Sequence, residues 1–323
     1  GKISNKGWEI SVSGVPVKVK NFEWKTIFNW SKNNSMVESL PEGIDKIQIG
    51  SGVYNVKSYA EVGKPYGAIY AKTFKRDAEG YILCQLDGSP KEGQDYEYLG
   101  CVQDDWRGGW NNVFRLGNFS FSVMFDFQKG GKFFSQTSIQ SSVDGQSVKS
   151  LEGRDADFFS RKILGESDEE RYGFMRPQNA NTPTANGQIY PDWGRPKGVV
   201  LPNCRYDEDV EGLAGQQVLG YCTPERYWMH YTSRDISRFI YDASYVKLRE
   251  ITVSYDLPKK WLRKTPFQTF RVAAVGRNIA TLFANTPHGL DPQATSTTGN
   301  AQGFERGFNL PSATYGFDIK VSF

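Results

Sequence analysis

Two histidines, His230 and His288, four cysteines and 36 carboxylates are the side chains of this 323-residue sequence that could do acid–base, nucleophilic or metal chemistry. General acid–base work and nucleophile activation need such groups gathered into a constellation. Neither histidine lies near a nucleophile motif, and no G-x-S-x-G, H-E-x-x-H or phosphate-loop pattern occurs. The carboxylates are numerous enough for a glycosidase pair, but no pair stands out by position. Asp77-x-Glu79-Gly80 and Asp207-x-Asp209 have the opening spacing of a calcium turn without the rest of the loop, and read as ordinary turns. The cysteines form two near pairs with no zinc-type spacing. Two loop-closing disulfides, Cys84–Cys101 and Cys204–Cys222, would suit an oxidising compartment; four thiols are the alternative. The expectation is a protein that is not an enzyme, with no catalytic residues, no metal and no cofactor.

Binding chemistry is better represented. Aromatics make up 14% of the chain, with 21 Phe, 17 Tyr and 8 Trp. Trp106, Tyr190, Trp193, Tyr206 and Trp228 fall in Pro- and Gly-rich stretches, where they could stack on a sugar ring or a peptide. Packing of loop on loop is the other use for such side chains. The net charge of +3 comes from scattered residues, which gives no footprint for a nucleic-acid partner.

The elements that must position these groups are strands. In Phe119–Gln128 the odd positions are Phe119, Phe121, Val123, Phe125 and Phe127, and the even ones Ser120, Ser122, Met124, Asp126 and Gln128. Tyr315, Phe317, Ile319, Val321 and Phe323 alternate with Gly316, Asp318, Lys320 and Ser322. Period two puts these sets on opposite faces of a sheet. The pattern predicts seven strands, at 7–17, 22–35, 109–117, 119–129, 244–257, 267–277 and 313–323. The alternation slips at Arg249-Glu250, which predicts a bulge. Short links (Lys18–Asn21, Gly117-Asn118, Pro258–Pro266) alternate strictly with long ones (36–108, 130–243, 278–312).

No run reaches 18 apolar residues, so no transmembrane helix is expected, but a spanning β-strand is apolar on one face only. A soluble sandwich explains alternation equally well. Strands of about ten residues or more, aromatics near strand ends and short–long loop alternation favour an outer-membrane barrel. Phe121, Val123, Phe125, Phe317 and Ile319 are then lipid-facing, and Glu23, Lys25, Asp126 and Gln128 face the lumen. Seven strands are too few to close a barrel, and counting back from Phe323 places Gly1 in an extracellular loop. The chain is therefore expected to be a fragment, or one piece of a split chain.

Ala243–Pro258 resembles the "ASYLRLRNVTLGYTLP" segment of SusC/RagA-type TonB-dependent outer-membrane transporters. Phe270-Arg271-Val272 with Gly276-Arg277-Asn278, Leu290-Asp291-Pro292, and Leu310-Pro311 with Tyr315-Gly316-Phe317 are similar to later family motifs, with Gln293 in place of an acid. Gly7-Trp8-Glu9-Ile10, Phe22-Glu23-Trp24, Gly108-Gly109 and Asp126–Gly131 resemble earlier ones. The resemblance implies an all-β fold: residues 1–323 as the C-terminal portion of an antiparallel transmembrane β-barrel of about 22 strands with long extracellular loops. It implies a plug domain upstream, contact with TonB through that part, and a SusD-like surface lipoprotein as lid. Oligosaccharides or peptides would be imported across the outer membrane of a Gram-negative, Bacteroidetes-type cell. Phe323, a terminal aromatic, resembles the signal for barrel assembly. A secreted or surface glycan-binding β-sandwich and a carbohydrate-active enzyme are the alternatives.

Overall fold

A computed structural model describes residues 1–151, 199–222, 226–287, 289–293, 299, 302–307 and 312–323. Its largest sheet holds seven strands: β1 (Lys2–Val19), β2 (Phe22–Ser39), β3 (Asp104–Leu116), β4 (Phe119–Gly130), β5 (Tyr245–Asp256), β6 (Thr269–Ala284) and β7 (Thr314–Ser322). Each pairs antiparallel with its sequence neighbour, in the order β1 to β7, and the outer strands β1 and β7 do not meet. The fold is all-β, and the sheet is an open wall.

All seven expected strands are present, and several run further than the alternation suggested. β2, expected to end at 35, continues through Met36-Val37-Glu38-Ser39, because backbone pairing with Lys2–Ser4 of β1 persists there. The bulge is also present: the register of β5 slips between Leu248 and Glu250 against both neighbours. Lys247, Arg249 and Glu250 thereby share one face while Leu248 and Ile251 keep the other apolar.

Lys20-Asn21 and Gly117-Asn118 close two hairpins, and the third short link carries one helical turn, Lys259–Leu262. At the other end the long connections build their own layer. Strands Lys46–Ser51, Lys57–Glu61, Ala68–Ala71 and Glu97–Cys101 form a four-stranded sheet. Ile82–Cys84 pairs with Val199–Tyr206, which pairs with Gln217–Cys222. Lys132–Ser135 lies between Ile240–Asp242 and Phe304–Glu305. Ser135 caps the helix Gln136–Val143, its hydroxyl accepting from Ser138 N at 3.1 Å. Where the chain leaves the wall, Gly130 and Gly131 have φ of +75° and +81°, a conformation that strains any L side chain.

The described residues bury their apolar side chains in this loop layer and not between two sheets. One core gathers Phe74, Cys84, Cys204, Tyr206, Tyr227 and Trp228; another gathers Val56, Ile69, Phe134, Ile139, Ile236 and Phe304. No helix among the described residues is long and apolar enough to cross a membrane, which says nothing of strands.

Candidate functional site: the two faces of the wall

Register carries the apolar side chains straight across the sheet. One row reads Val19, Phe22, Leu116, Phe119, Tyr255, Val272 and Ile319, one residue per strand. The next reads Val17, Trp24, Phe114, Phe121, Val253, Ala274 and Phe317. A third runs from Val12 through Phe28, Trp110, Phe125 and Leu248 to Ala280. Aromatic neighbours stack across strands, as in Trp110–Phe125 at 6.0 Å and Phe114–Phe121 at 6.2 Å. Phe28 and Phe127 stack diagonally at 6.0 Å beside Gly108, where an added Cβ would fall 2.4 Å from the Phe127 ring. That contact gives Gly108, the first glycine of the Gly108-Gly109 pair, its physical reason.

This face is uncovered. Phe317 is 86% exposed and Ile319 63%; Phe121 is also exposed, and Val123 and Phe125 are partly so. An exposed apolar band that crosses seven strands is far larger than the patches soluble monomers show.

The opposite face is polar and ion-paired. Lys18 meets Glu23 at 3.0 Å, Arg271 meets Asp256 at 2.6 Å and Arg277 meets Glu250 at 2.9 Å. Lys25 is exposed on this face, and Gln128 donates to Gly130 O at 3.4 Å. Asp126 accepts from Arg249 and from the Tyr245 hydroxyl. Lys247, 1% exposed, donates to both Asp291 oxygens at 2.6 Å and to Gln293 Oε1 at 2.9 Å. Arg249 Nη2 donates to the same Gln293 oxygen at 2.7 Å, while Gln293 Nε2 donates to Tyr245 Oη at 2.5 Å. An amide can accept and donate in this way, whereas a carboxylate could only accept. That is a reason for Gln293 to stand where the resembling motif has an acid. The network, 44 residues apart in sequence at Lys247 and Asp291, was not visible to sequence reasoning; only the position of Asp291-Pro292-Gln293 in the motif hinted at it. It borders an open concavity of about 740 Å³, lined in part by Glu9, Asn29, Arg107, Asp126 and Tyr245.

Several expected site residues take other roles. Trp228, 2% exposed, and Tyr206, 1% exposed, pack inside a loop core, so the loop-on-loop reading wins and neither offers a ring to a ligand. Trp106 lies edge-on to Phe127 at 6.1 Å, at the loop end of the apolar face. Tyr190 and Trp193 lie outside the described residues, as does His288. His230 is exposed on the π-helical segment Tyr227–Tyr231. A different aromatic cluster was missed by the sequence reading: Tyr59 and the exposed Tyr98 flank the buried Tyr70 on the four-stranded sheet, with Lys46 and Lys64 over their rings at 4.4–5.0 Å.

The expected disulfides are not formed either. Cys101 carries a free thiol, 3.4 Å from Tyr66 O, and lies opposite Ala68, whereas Cys84 lies opposite Tyr206 in a different sheet. Cys204 pairs in register with Val218 but Cys222 with Val199. Several ladder positions separate them, beyond the roughly 7 Å of Cα spacing that a disulfide spans. Mass spectrometry without reductant is expected to find Cys101 as a thiol that alkylates more slowly in the folded protein than after unfolding, since burial pushes its thiol pKa up. A Cys84–Cys101 cross-link would contradict this.

Asp207 ties the loop layer together. Its carboxylate receives Lys75 at 2.9 Å and Lys91 at 2.8 Å. Burial alone would raise its pKa, but the two ammonium groups and the Glu208 N–H outweigh burial and hold it at about 2. A carboxylate depressed in the folded state contributes stability above its unfolded pKa of about 4 and loses it as pH falls toward 2. With allowance for solvent screening this is on the order of 1 kcal/mol. Protection of the Tyr206 amide, its exchange rate taken relative to the intrinsic rate at the same pH, is expected to fall between about pH 4 and pH 2, and Asp207→Asn to remove that step. An unchanged pH profile in the variant would refute the assignment.

No family model matches the sequence. The chain is 23% identical to TonB-dependent receptor P3 of Formosa agariphila, over 98% of this chain and 28% of that protein. A second TonB-dependent receptor of that organism, P26, is 27% identical over 42% of this chain and 16% of its own length. Among solved structures, the RagAB peptide transporter superposes on 99% of this chain and 29% of its own, at 15% identity and a TM-score of 0.53. The RagAB importer in its closed-closed state gives 0.54, at 15% identity, over 99% of this chain and 30% of its own. The chain thus spans less than a third of the length of these relatives.

Proposed function

We infer that this chain, a segment of a SusC/RagA-type TonB-dependent receptor, supplies seven adjacent strands of an outer-membrane barrel wall and serves nutrient import. The observation that carries the reading is the division of the sheet: unbroken apolar rows across all seven strands on one side, paired charges and amides on the other. Hydrocarbon accepts the first face, and a hydrated lumen the second. Phe121, Val123, Phe125, Phe317 and Ile319 then touch lipid, and Glu23, Lys25, Asp126 and Gln128 line the interior. Long connections lie outside the cell and short ones in the periplasm. Phe323, exposed beside Phe267 at 5.3 Å, closes the lower rim and is suited to be the assembly signal.

The import reading extends to an upstream plug, energy from TonB, and a SusD-like lipoprotein over the extracellular layer. The cargo is an oligosaccharide or a peptide. Peptide import by the fold neighbours supports the second, and the exposed ring of Tyr98 offers stacking to either. The test is uptake of labelled oligosaccharides and oligopeptides by cells carrying the intact transporter. Accumulation that stops with a protonophore, together with copurification of a surface lipoprotein, is expected. Uptake indifferent to the protonophore, or a transporter that is monomeric and soluble without detergent, would contradict the reading.

A further inference from the structure

The three short links of the wall differ in charge. On the polar face Lys18, Lys247, Arg249, Arg271 and Arg277 each hold an acid, and the cations without one, Lys25, Arg115 and Lys320, stand singly. In the third link, Lys259, Lys260, Arg263 and Lys264 put four cations into six residues, all of them exposed. Among the described residues none of these four side chains has an acidic partner or a hydrogen-bond acceptor. Like charges spaced well inside the Debye length of about 8 Å repel one another unless an anion lies between them. Leu262 is buried and pins the helical turn, and Trp261 in the middle of the cations is 60% exposed. The same link carries Phe267, packed on Phe270 at 5.9 Å and on Phe323 at 5.3 Å. Beyond it begins the apolar face, whose last row holds the exposed Val19, Phe119 and Ile319.

We propose that the Lys259–Lys264 turn is a binding site for the headgroups of anionic phospholipid, holding the periplasmic rim of the wall to the inner leaflet. The proposal rests on the membrane-wall reading above. Its residues satisfy two requirements of an interface at once. An indole settles at headgroup depth, with its ring toward hydrocarbon and its N–H toward water. Cations just outside the apolar band attract acidic lipid, each adding to the attraction independently. An acidic soluble protein would match the cations alone. The apolar band that continues from Phe267 through Phe270 and Phe323 into the wall favours lipid.

The test uses the intact transporter in neutral detergent, wild type against the quadruple variant K259Q/K260Q/R263Q/K264Q. Four probes are compared: phosphatidylglycerol, phosphatidylcholine, glycerol 3-phosphate and polyglutamate. Retained probe is read by native mass spectrometry, and thermal midpoint by unfolding. Phosphatidylglycerol is expected to stay bound to the wild type and raise its midpoint, with retention weaker by about tenfold or more in the variant. The other probes should do neither. Equal retention by both proteins would overturn the proposal. So would polyglutamate matching the lipid, which marks a protein-type site, or glycerol 3-phosphate matching it, which marks a soluble-phosphate site. Should the variant fail to fold, wild-type retention is measured in about 0.5 M salt, where screening must abolish it; retention that survives the salt overturns the proposal. Failure here leaves detergent dependence intact, whereas failure of the membrane-wall reading removes it.

Discussion

Phe125→Arg is expected to destabilise the intact protein in lipid by about 2–4 kcal/mol, the cost of an arginine near the middle of an apolar barrel face. Phe125 sits six residues up β4 from the short Gly117-Asn118 link, roughly half-way through a hydrocarbon band about 25 Å tall. Its ring stacks on Trp110 at 6.0 Å, and its strand neighbour on the other side is Leu248. Ser122, three residues earlier on the polar face, donates to Asn111 Oδ1 at 3.0 Å. Ser122→Arg loses that bond and places its charge in water, at a cost of about 1 kcal/mol or less. Unfolding in urea from vesicles, scored by the gel mobility of folded and unfolded barrels, measures both. Equal costs at the two positions would contradict the assignment of faces.

The second large effect belongs to Lys247. Replacing it by methionine keeps the stem but leaves Asp291 without its cation in a nearly dry corner between wall and loop. Breaking a buried pair from one side costs about 3–5 kcal/mol. Asp291 keeps partial contact with solvent, so the lower end is expected. The loss should appear first as protease cleavage within 285–293, since Lys247 and Arg249 together hold Asp291 and Gln293 to the wall. The double variant Lys247→Met with Asp291→Asn is expected to recover most of the stability. A single variant as stable as wild type would show the pair to be surface decoration.

What could be read from the sequence followed from how far each contact reaches. Alternation in Phe119–Gln128 is local, so strands, faces and the Arg249-Glu250 slip were visible. Lys247 and Asp291 lie far apart in the chain, and only folding reveals that they meet. Trp228 and Tyr206 looked like ligand-stacking rings because Pro and Gly surround them, yet both are core residues of a loop layer that a sequence window does not disclose. Trp106 was read as a loop residue because β3 was expected to begin at 109; it begins at Asp104, and parity with Trp110 puts Trp106 on the apolar side. The disulfides failed for a related reason. Nearness in sequence suggested Cys204–Cys222, but the hairpin register pairs each with a different residue.

The most direct measurement is spin-label accessibility along β4 of the intact transporter in vesicles. Single nitroxides are placed at 119 to 128 in a background free of other cysteines. The account predicts a period of two: labels at 119, 121, 123, 125 and 127 relax with oxygen, and those at 120, 122, 124, 126 and 128 with a water-soluble nickel chelate. Accessibility that does not alternate, or labels at 121 and 125 shielded from both reagents, would mean that this face meets protein instead of lipid.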